Sequence, residues 1–161
     1  MIKEVTLSDD FKVFSQLLND SFSTVAKEFG FTKETAPTNN AFVSADGLKS
    51  QLTEKRQFYY YENNGQVIGF IAVEKSSRDA LLYYIEKLAV TPEFRHNNIG
   101  RELMDFATEK IKKQGGSKIS VGLINSNIRL KNWYRKLGFE EVEIKEYNYL
   151  PFSVCIMDKC I

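Results

Sequence analysis

Apolar positions along the chain change their period several times, and each change marks an element. Ile2–Thr6 alternates as a short strand. Ser8-Asp9-Asp10 then offers an N-cap, and Phe11, Phe14, Leu17, Leu18, Phe22 and Val25 recur at helical spacing up to Gly30. A break in that helix near Ser21–Ser23 stays open at this point. Phe31–Ser44 is polar and irregular, with Pro37 and Asn39-Asn40 as loop signals, and Ala45–Lys55 reads as a second helix. Phe58–Glu62 and Gln66–Glu74 form a pair of strands around the hairpin turn Asn63-Asn64-Gly65. After a turn at Ser76–Asp79, Leu81–Val90 is a long strand. Asn97-Asn98 opens a helix with Ile99, Leu103, Ala107 and Ile111 on one face, and Gly115-Gly116 close it. Lys118–Leu123 is a strand, Ser126–Leu137 a helix stopped by Gly138, and Phe139–Ile144 and Phe152–Asp158 the last two strands.

This order constrains the fold. Hairpins imply antiparallel pairs, and the strand–helix–strand passage from 81 to 123 implies a parallel pair with a right-handed crossover. The expected architecture is an α/β three-layer sandwich: a mixed, mainly antiparallel sheet of about seven strands with helices on both faces. With 161 residues and no repeat, low-complexity tract or linker, residues 1–161 form a single domain.

Composition narrows the function. The chain has 22 Lys+Arg against 21 Asp+Glu, so it lacks the strong basic excess of a nucleic-acid binder. One His leaves no multi-histidine metal cage, and any Ser-His or Cys-His hydrolase would have to use His96. Cys155 and Cys160 lack the C-x-x-C spacing of a zinc or redox site and read as free thiols in a reducing cytoplasm. No run of 18 apolar residues occurs, and the start, MIKEVTLSDDFK, is too charged for a signal peptide. A soluble cytoplasmic protein without membrane, nucleic-acid or metal partners is expected.

Two segments carry candidate chemistry. In Leu88-Ala89-Val90-Thr91-Pro92-Glu93-Phe94-Arg95-His96-Asn97-Asn98-Ile99-Gly100-Arg101 a strand ends, a turn follows and a helix begins. Such a junction aims unpaired backbone N–H groups at one point and is a ready anion site. Arg95 and Arg101 flank it, although an ordinary turn with solvated arginines has the same pattern. In Asn127-Ile128-Arg129-Leu130-Lys131-Asn132-Trp133-Tyr134-Arg135-Lys136-Leu137-Gly138-Phe139, Leu130, Trp133, Tyr134 and Leu137 share one helical face. Tyr134 therefore points into the core or into a cleft. Residues 95–101 and 127–136 hold six bases and no acid, as two elements converging on one polyanion would.

Together the two segments resemble the GNAT superfamily of acyl-CoA-dependent N-acyltransferases. The family's Arg/Gln-x-x-Gly-x-Gly/Ala loop reads here Arg95-His96-Asn97-Asn98-Ile99-Gly100, and its Asn-x-x-Ala-x-x-Phe-Tyr-x-x-x-Gly-Phe pattern is met by Asn127, Leu130, Trp133, Tyr134, Gly138 and Phe139. The first motif glycine is Asn98, a residue that tolerates left-handed backbone but sets a side chain beside the expected pyrophosphate.

The resemblance implies acetyl-CoA as cosubstrate, lying between the strand ending at Val90 and the one starting at Lys118. Backbone groups of Leu88, Ala89 and Val90 would hold the pantetheine and thioester. The N–H groups of His96, Asn97, Asn98, Ile99, Gly100 and Arg101 would cradle the pyrophosphate. Asn127 and Lys131 would reach the pantetheine or nucleotide, and Tyr134 would protonate the leaving thiolate. An alkylamine acceptor is protonated at pH 7, which costs roughly 4–5 kcal/mol to reverse, so a base is required. Glu86, inside the apolar strand Tyr83–Leu88, is the candidate; a Glu86–Lys87 surface or cross-strand charge pair is the alternative. The expected acceptor is a small-molecule primary amine, with a protein or peptide amine, or a non-catalytic acyl-CoA-binding module, as alternatives. A homodimer is compatible with the sequence. The first two helices and the Tyr147–Phe152 loop would bound the acceptor site.

Overall fold

The structure, a computed structural model, describes all residues 1–161. Its strands are β1 (Ile2–Glu4), β2 (Arg56–Asn63), β3 (Gln66–Lys75), β4 (Leu82–Val90), β5 (Lys118–Ile124), β6 (Glu140–Lys145) and β7 (Val154–Cys160). The helices are α1 (Phe11–Phe29), α2 (Ala45–Gln51), α3 (Ile99–Lys113) and α4 (Ile128–Lys136). The seven strands form one sheet in the order β1-β2-β3-β4-β5-β7-β6. Every neighbouring pair is antiparallel except β4 and β5. The expected three-layer α/β sandwich is therefore present.

The layers follow from the apolar spacing. Leu103, Met104, Ala107 and Ile111 of α3 and Tyr134 of α4 pack on Ile71, Val73, Tyr83, Ile85, Ile119 and Val121 of the sheet. On the opposite face, Phe11, Phe14, Leu17 and Leu18 of α1 and Leu48 of α2 cover Phe58, Phe70, Ala72 and Ala89. Caps set the helix starts: Asp10, Ser44 and Asn127 each accept a backbone N–H of the first turn. The β2–β3 hairpin turns through Asn64 at φ 50 and Gly65 at φ 77, the positive pair that a tight hairpin demands.

Two details differ from the sequence expectation. α1 is continuous through Ser21–Ser23, where the hydroxyls of Ser23 and Thr24 fold back onto the carbonyls of Asp20 and Ser21 instead of breaking the helix. α2 ends at Gln51 rather than Lys55, since Leu52 already has extended backbone. No helix is long and apolar enough to cross a membrane.

One irregularity positions everything that follows. β4 pairs with β5 only at Leu82, Tyr83 and Tyr84, opposite Lys118, Ile119 and Ser120. Beyond that, β4 continues along β3 while β5 continues along β7, so the sheet splits. In β4 itself Ala72 of β3 faces Glu86 while Phe70 faces Ala89, which leaves Ile71 opposite both Lys87 and Leu88. That bulge puts Lys87 at φ 54 and bends β4 away from β5.

Candidate active site

The split opens into a cavity of about 670 Å³. Glu86, Lys87 and Leu88 line it from β4, Tyr134 from α4, and Asn39 and Asn40 from the loop before α2. From Ile85 to Val90 the β4 edge facing the split has no strand partner, so its backbone groups on that side remain available. The Val90 carbonyl is an exception: it accepts from Ser21 Oγ and Arg95 Nε, both at 3.3 Å. Ala89 is buried beneath α1, and Leu88 packs against the core on the opposite face.

Past Val90 the chain makes a short 3-10 turn, Pro92–Phe94, and then the loop that opens α3. His96 and Asn98 both adopt left-handed backbone, at φ 65 and φ 66. Every backbone N–H from His96 through Arg101 lacks an acceptor within the protein. Successive N–H groups folded in this way form an anion-binding nest at the positive end of a helix. Asn98 keeps the loop's shape without glycine, and its side chain makes no capping hydrogen bond. A Cβ on Gly100 would lie 3.6 Å from Trp133 Cζ2 and 3.9 Å from Val90 Cγ2, which are ordinary contacts. Packing alone does not demand glycine there; what the missing side chain leaves open is the floor of the nest. The loop therefore fits a diphosphate.

Tyr134 is 6% exposed and stacks edge-on against Trp133 and Phe139, with centroids 5.2 and 5.4 Å away. Its hydroxyl has no hydrogen-bond partner in the protein and reaches the cavity. Burial pushes its pKa far up, so it holds its proton as an acid must. Glu86 lies on the α1 face of β4. Burial raises its carboxyl above the usual range, and the neighbouring Glu74 carboxylate raises it further, while Arg56 and Lys87 oppose the shift. Arg56 Nη2 donates to Glu74 Oε2 at 2.9 Å, and Arg56 Nε lies 3.8 Å from Glu86 Oε2.

Residues 27–150 match the acetyltransferase (GNAT) domain family. The chain belongs to that family. A streptothricin acetyltransferase of Streptomyces lavendulae is 29% identical over 103 residues, covering 64% of this chain and 54% of that protein. A [ribosomal protein bS18]-alanine N-acetyltransferase of Escherichia coli is 28% identical over 117 residues, 71% of this chain and 70% of that protein. The chain spans only about half the length of several curated relatives that it matches. Among solved structures, the PaiA N-acetyltransferase of Thermoplasma acidophilum in complex with coenzyme A superposes with a TM-score of 0.82 at 18% identity, over 100% of this chain and 98% of that one. That likeness establishes the fold.

Within this GNAT domain several expected ligands are committed elsewhere. Lys131 is turned inward: its Nζ donates to Asn125 Oδ1 at 2.5 Å and pairs with Glu141 at 2.8 Å, leaving the side chain 8% exposed. It cannot reach a cofactor without leaving that pair. The Arg95 guanidinium is folded onto α1, donating to the Ser21 carbonyl at 2.9 Å and to Thr24 Oγ1. Asn97 Nδ2 is bonded to the carbonyls of Phe94 and Arg95 within the turn. Asn127 lines the cavity, but its Oδ1 caps α4, so only its NH2 is free. Arg101, Arg129 and Arg135 pair with Asp105, Glu28 and Glu141. Five of the six bases of the two stretches thus have partners within the protein, whereas the N–H groups of the nest have none. Cys155 is nearer the second motif than expected, with Sγ 3.3 Å from Glu141 Oε1, but burial raises its thiol pKa, which disfavours a thiolate.

Sequence reasoning named Lys87 beside Glu86 as a possible charge pair but missed Arg56, the closest cation to the Glu86 carboxylate, and with it Glu74 and Asn40. Arg56, Glu74, Lys87 and Asn40 come from four segments, and only the strand register joins Arg56 to Glu74. Of the Tyr147–Phe152 loop, Phe152 closes the core edge against Phe31 and also lines the cavity, while Tyr147 and Tyr149 stack on each other outside it.

Proposed function

We propose that the chain transfers the acetyl group of acetyl-CoA directly to a primary amine of a small molecule. One observation carries this reading: Glu86 and Tyr134 line the same cavity, at the place where β4 and β5 part. Glu86, with its raised proton affinity, takes a proton from the acceptor ammonium, and the neutral amine then attacks the thioester carbonyl. Tyr134, kept protonated by burial, gives one to the sulfur of the leaving coenzyme. The unpaired N–H groups of residues 96–101 hold the diphosphate, and the free edge of β4 aligns the pantetheine arm. No side chain forms a covalent intermediate in this scheme, and the Cys155 thiol is held away from it by the Glu141 contact.

The small-molecule preference is supported by the likeness to a streptothricin acetyltransferase. The test has two stages. Acetyl-CoA at a hundredfold excess over Kd stabilises the fold by about 2.7 kcal/mol, read as a rise in Tm. A panel of amino acids, polyamines, aminoglycosides and peptides is then screened for release of free CoA. Unchanged melting at millimolar acetyl-CoA defeats the proposal, and turnover of peptides alone replaces the acceptor class.

A further inference from the structure

Two consecutive side chains of β4 enter one cavity. In a regular strand Glu86 and Lys87 would face opposite sides of the sheet. The bulge, with Lys87 at φ 54, cancels that alternation, and both residues line the cavity beside Asn39 and Asn40. Left-handed backbone is uncommon for a lysine and calls for an explanation at the site it serves.

Lys87 is half-buried, and its Nζ donates to Asn40 Oδ1 at 2.6 Å. It takes part in none of the ion pairs of the molecule. The acids nearest to it are committed: Glu74 is hydrogen-bonded to Arg56, and Glu86 lies 3.8 Å from the same guanidinium. Burial lowers the proton affinity of Lys87, and the nearby carboxylates of Glu86 and Glu74 only partly oppose that shift. An ammonium has three donors, so after the bond to Asn40 two remain for whatever enters the cavity. Buried charge is ordinarily paired.

We propose that Lys87 and Asn40 form a subsite for a carboxylate carried by the acceptor, so that the amine acetylated here belongs to an amino acid. This rests on the reading of the chain as an amine acetyltransferase. Glu86 faces the amine and Lys87 the carboxylate, and the two adjacent charges complement a zwitterion. A simple alkylamine would leave the Lys87 ammonium with Asn40 as its only hydrogen-bond partner in the cavity, which biases the site against it.

The experiment compares acceptors that differ only in the carboxylate: lysine with cadaverine, phenylalanine with phenethylamine, 4-aminobutyrate with propylamine. The wild type is expected to favour the acids in kcat/KM by about 10-fold or more, the scale of one charge-assisted hydrogen bond. Lys87→Met removes the cation and collapses that ratio, and Lys87→Arg keeps it. Asn40→Asp provides a counter-ion where Nζ now finds an amide, and it too collapses the ratio. Intrinsic amine basicity cancels, because each ratio is compared between variants. The Tm rise with acetyl-CoA shows for each variant that the fold is intact. If the wild type prefers the decarboxylated amines, or the ratio is the same in Lys87→Met and Asn40→Asp as in the wild type, the carboxylate subsite is wrong while the acetyltransferase reading stands. If no amine is acetylated and acetyl-CoA leaves Tm unchanged, the underlying reading fails and takes the subsite with it.

Discussion

The two sides of the candidate site are built by different means. The side running from Val90 into α3 is one contiguous stretch whose recognition groups are backbone N–H donors from His96 to Arg101. The other side is assembled from side chains on β2, β3, β4 and the loop before α2: Arg56, Glu74, Glu86, Lys87 and Asn40. A backbone site tolerates substitution, as long as the conformation survives; Asn98 stands in the glycine position with φ 66 and the nest is intact. A side-chain site depends on register across the sheet, and a slip of one residue would turn its groups to the other face. On the proposed function, the first kind would hold the cosubstrate and the second would define the acceptor.

The sharpest test of this division lies where the two sides meet. Tyr134→Phe keeps the stacking against Trp133 and Phe139 and removes only the hydroxyl. We expect kcat to fall by roughly 10²–10⁴-fold with acetyl-CoA affinity retained, measured by steady-state kinetics and calorimetry. Glu86→Gln is expected to lower kcat/KM for the amine by about 10²-fold, again without loss of acetyl-CoA binding. If either variant turns over at the wild-type rate, that residue returns to a packing role. If acetyl-CoA binding collapses with Glu86→Gln, the two sides are not separable.

Lys131 tests where the nest's side ends. It lies in the second motif, yet its ammonium serves the fold by pairing with Glu141. Lys131→Met is expected to lower Tm by about 3–8 °C and leave acetyl-CoA affinity in place. The effect depends on pH. Lys131 first, and then Cys155 and Arg135, hold the Glu141 carboxyl down to about 2, below its ordinary 4.5. A depressed carboxyl contributes stability that is complete above the ordinary value and lost as pH falls through the folded value. The Tm difference between wild type and variant should therefore narrow as pH falls from about 4.5 towards about 2. Weaker acetyl-CoA binding at unchanged Tm would restore Lys131 to the donor site.

Lys131 also shows what the chain could disclose by itself. The fold was legible almost throughout, because its signals are local: the caps at Asp10 and Ser44, the Asn64-Gly65 turn, the helical spacing of Ile99, Leu103, Ala107 and Ile111. The nest was legible for the same reason, as was Tyr134, which reads off a helical face. The charges were not. Lys131 and Arg95 appear as free bases along the sequence, but their partners, Glu141, Asn125, Ser21 and Thr24, are fixed only by tertiary packing. Arg56 and Glu74 gave no signal at all, since nothing local distinguishes them from other charged residues at strand ends. Nor does the sequence show that a bulge turns Lys87 to the same side as Glu86.

The carboxylate pair allows a finer comparison within the acceptor side. As the proposed base, Glu86 must be deprotonated to act, so its proton affinity is expected to set the acidic limb of kcat/KM. The groups facing it are Arg56 from β2, Glu74 from β3 and Lys87 from β4, with Asp158 and its partner Lys118 across the cavity. Glu74 raises that affinity and Arg56 lowers it. Glu74→Gln should therefore move the limb to lower pH, and Arg56→Gln should move it to higher pH, in pH–rate profiles taken with one amine. Shifts in the same direction, or none, would mean that another group controls the limb.

The smallest effect is expected at Asn98, where the tolerance of the backbone site can be measured directly. Its side chain makes no capping bond, so it is free either to crowd an incoming diphosphate or to donate to it. Glycine at φ 66 would keep the nest and remove the Cβ. Recognition by N–H groups and the helix dipole does not need the side chain, so obstruction should dominate. Asn98→Gly is then expected to tighten acetyl-CoA binding by about two- to fivefold, on the order of 1 kcal/mol or less, with kcat little changed. Tm should hardly move, because relief of the left-handed conformation offsets the greater freedom of glycine in the unfolded chain. Titration calorimetry on both proteins decides the matter. Weaker binding by the glycine variant would make the Asn98 amide a phosphate ligand in its own right, and the contrast between a backbone side and a side-chain side would no longer hold at that position.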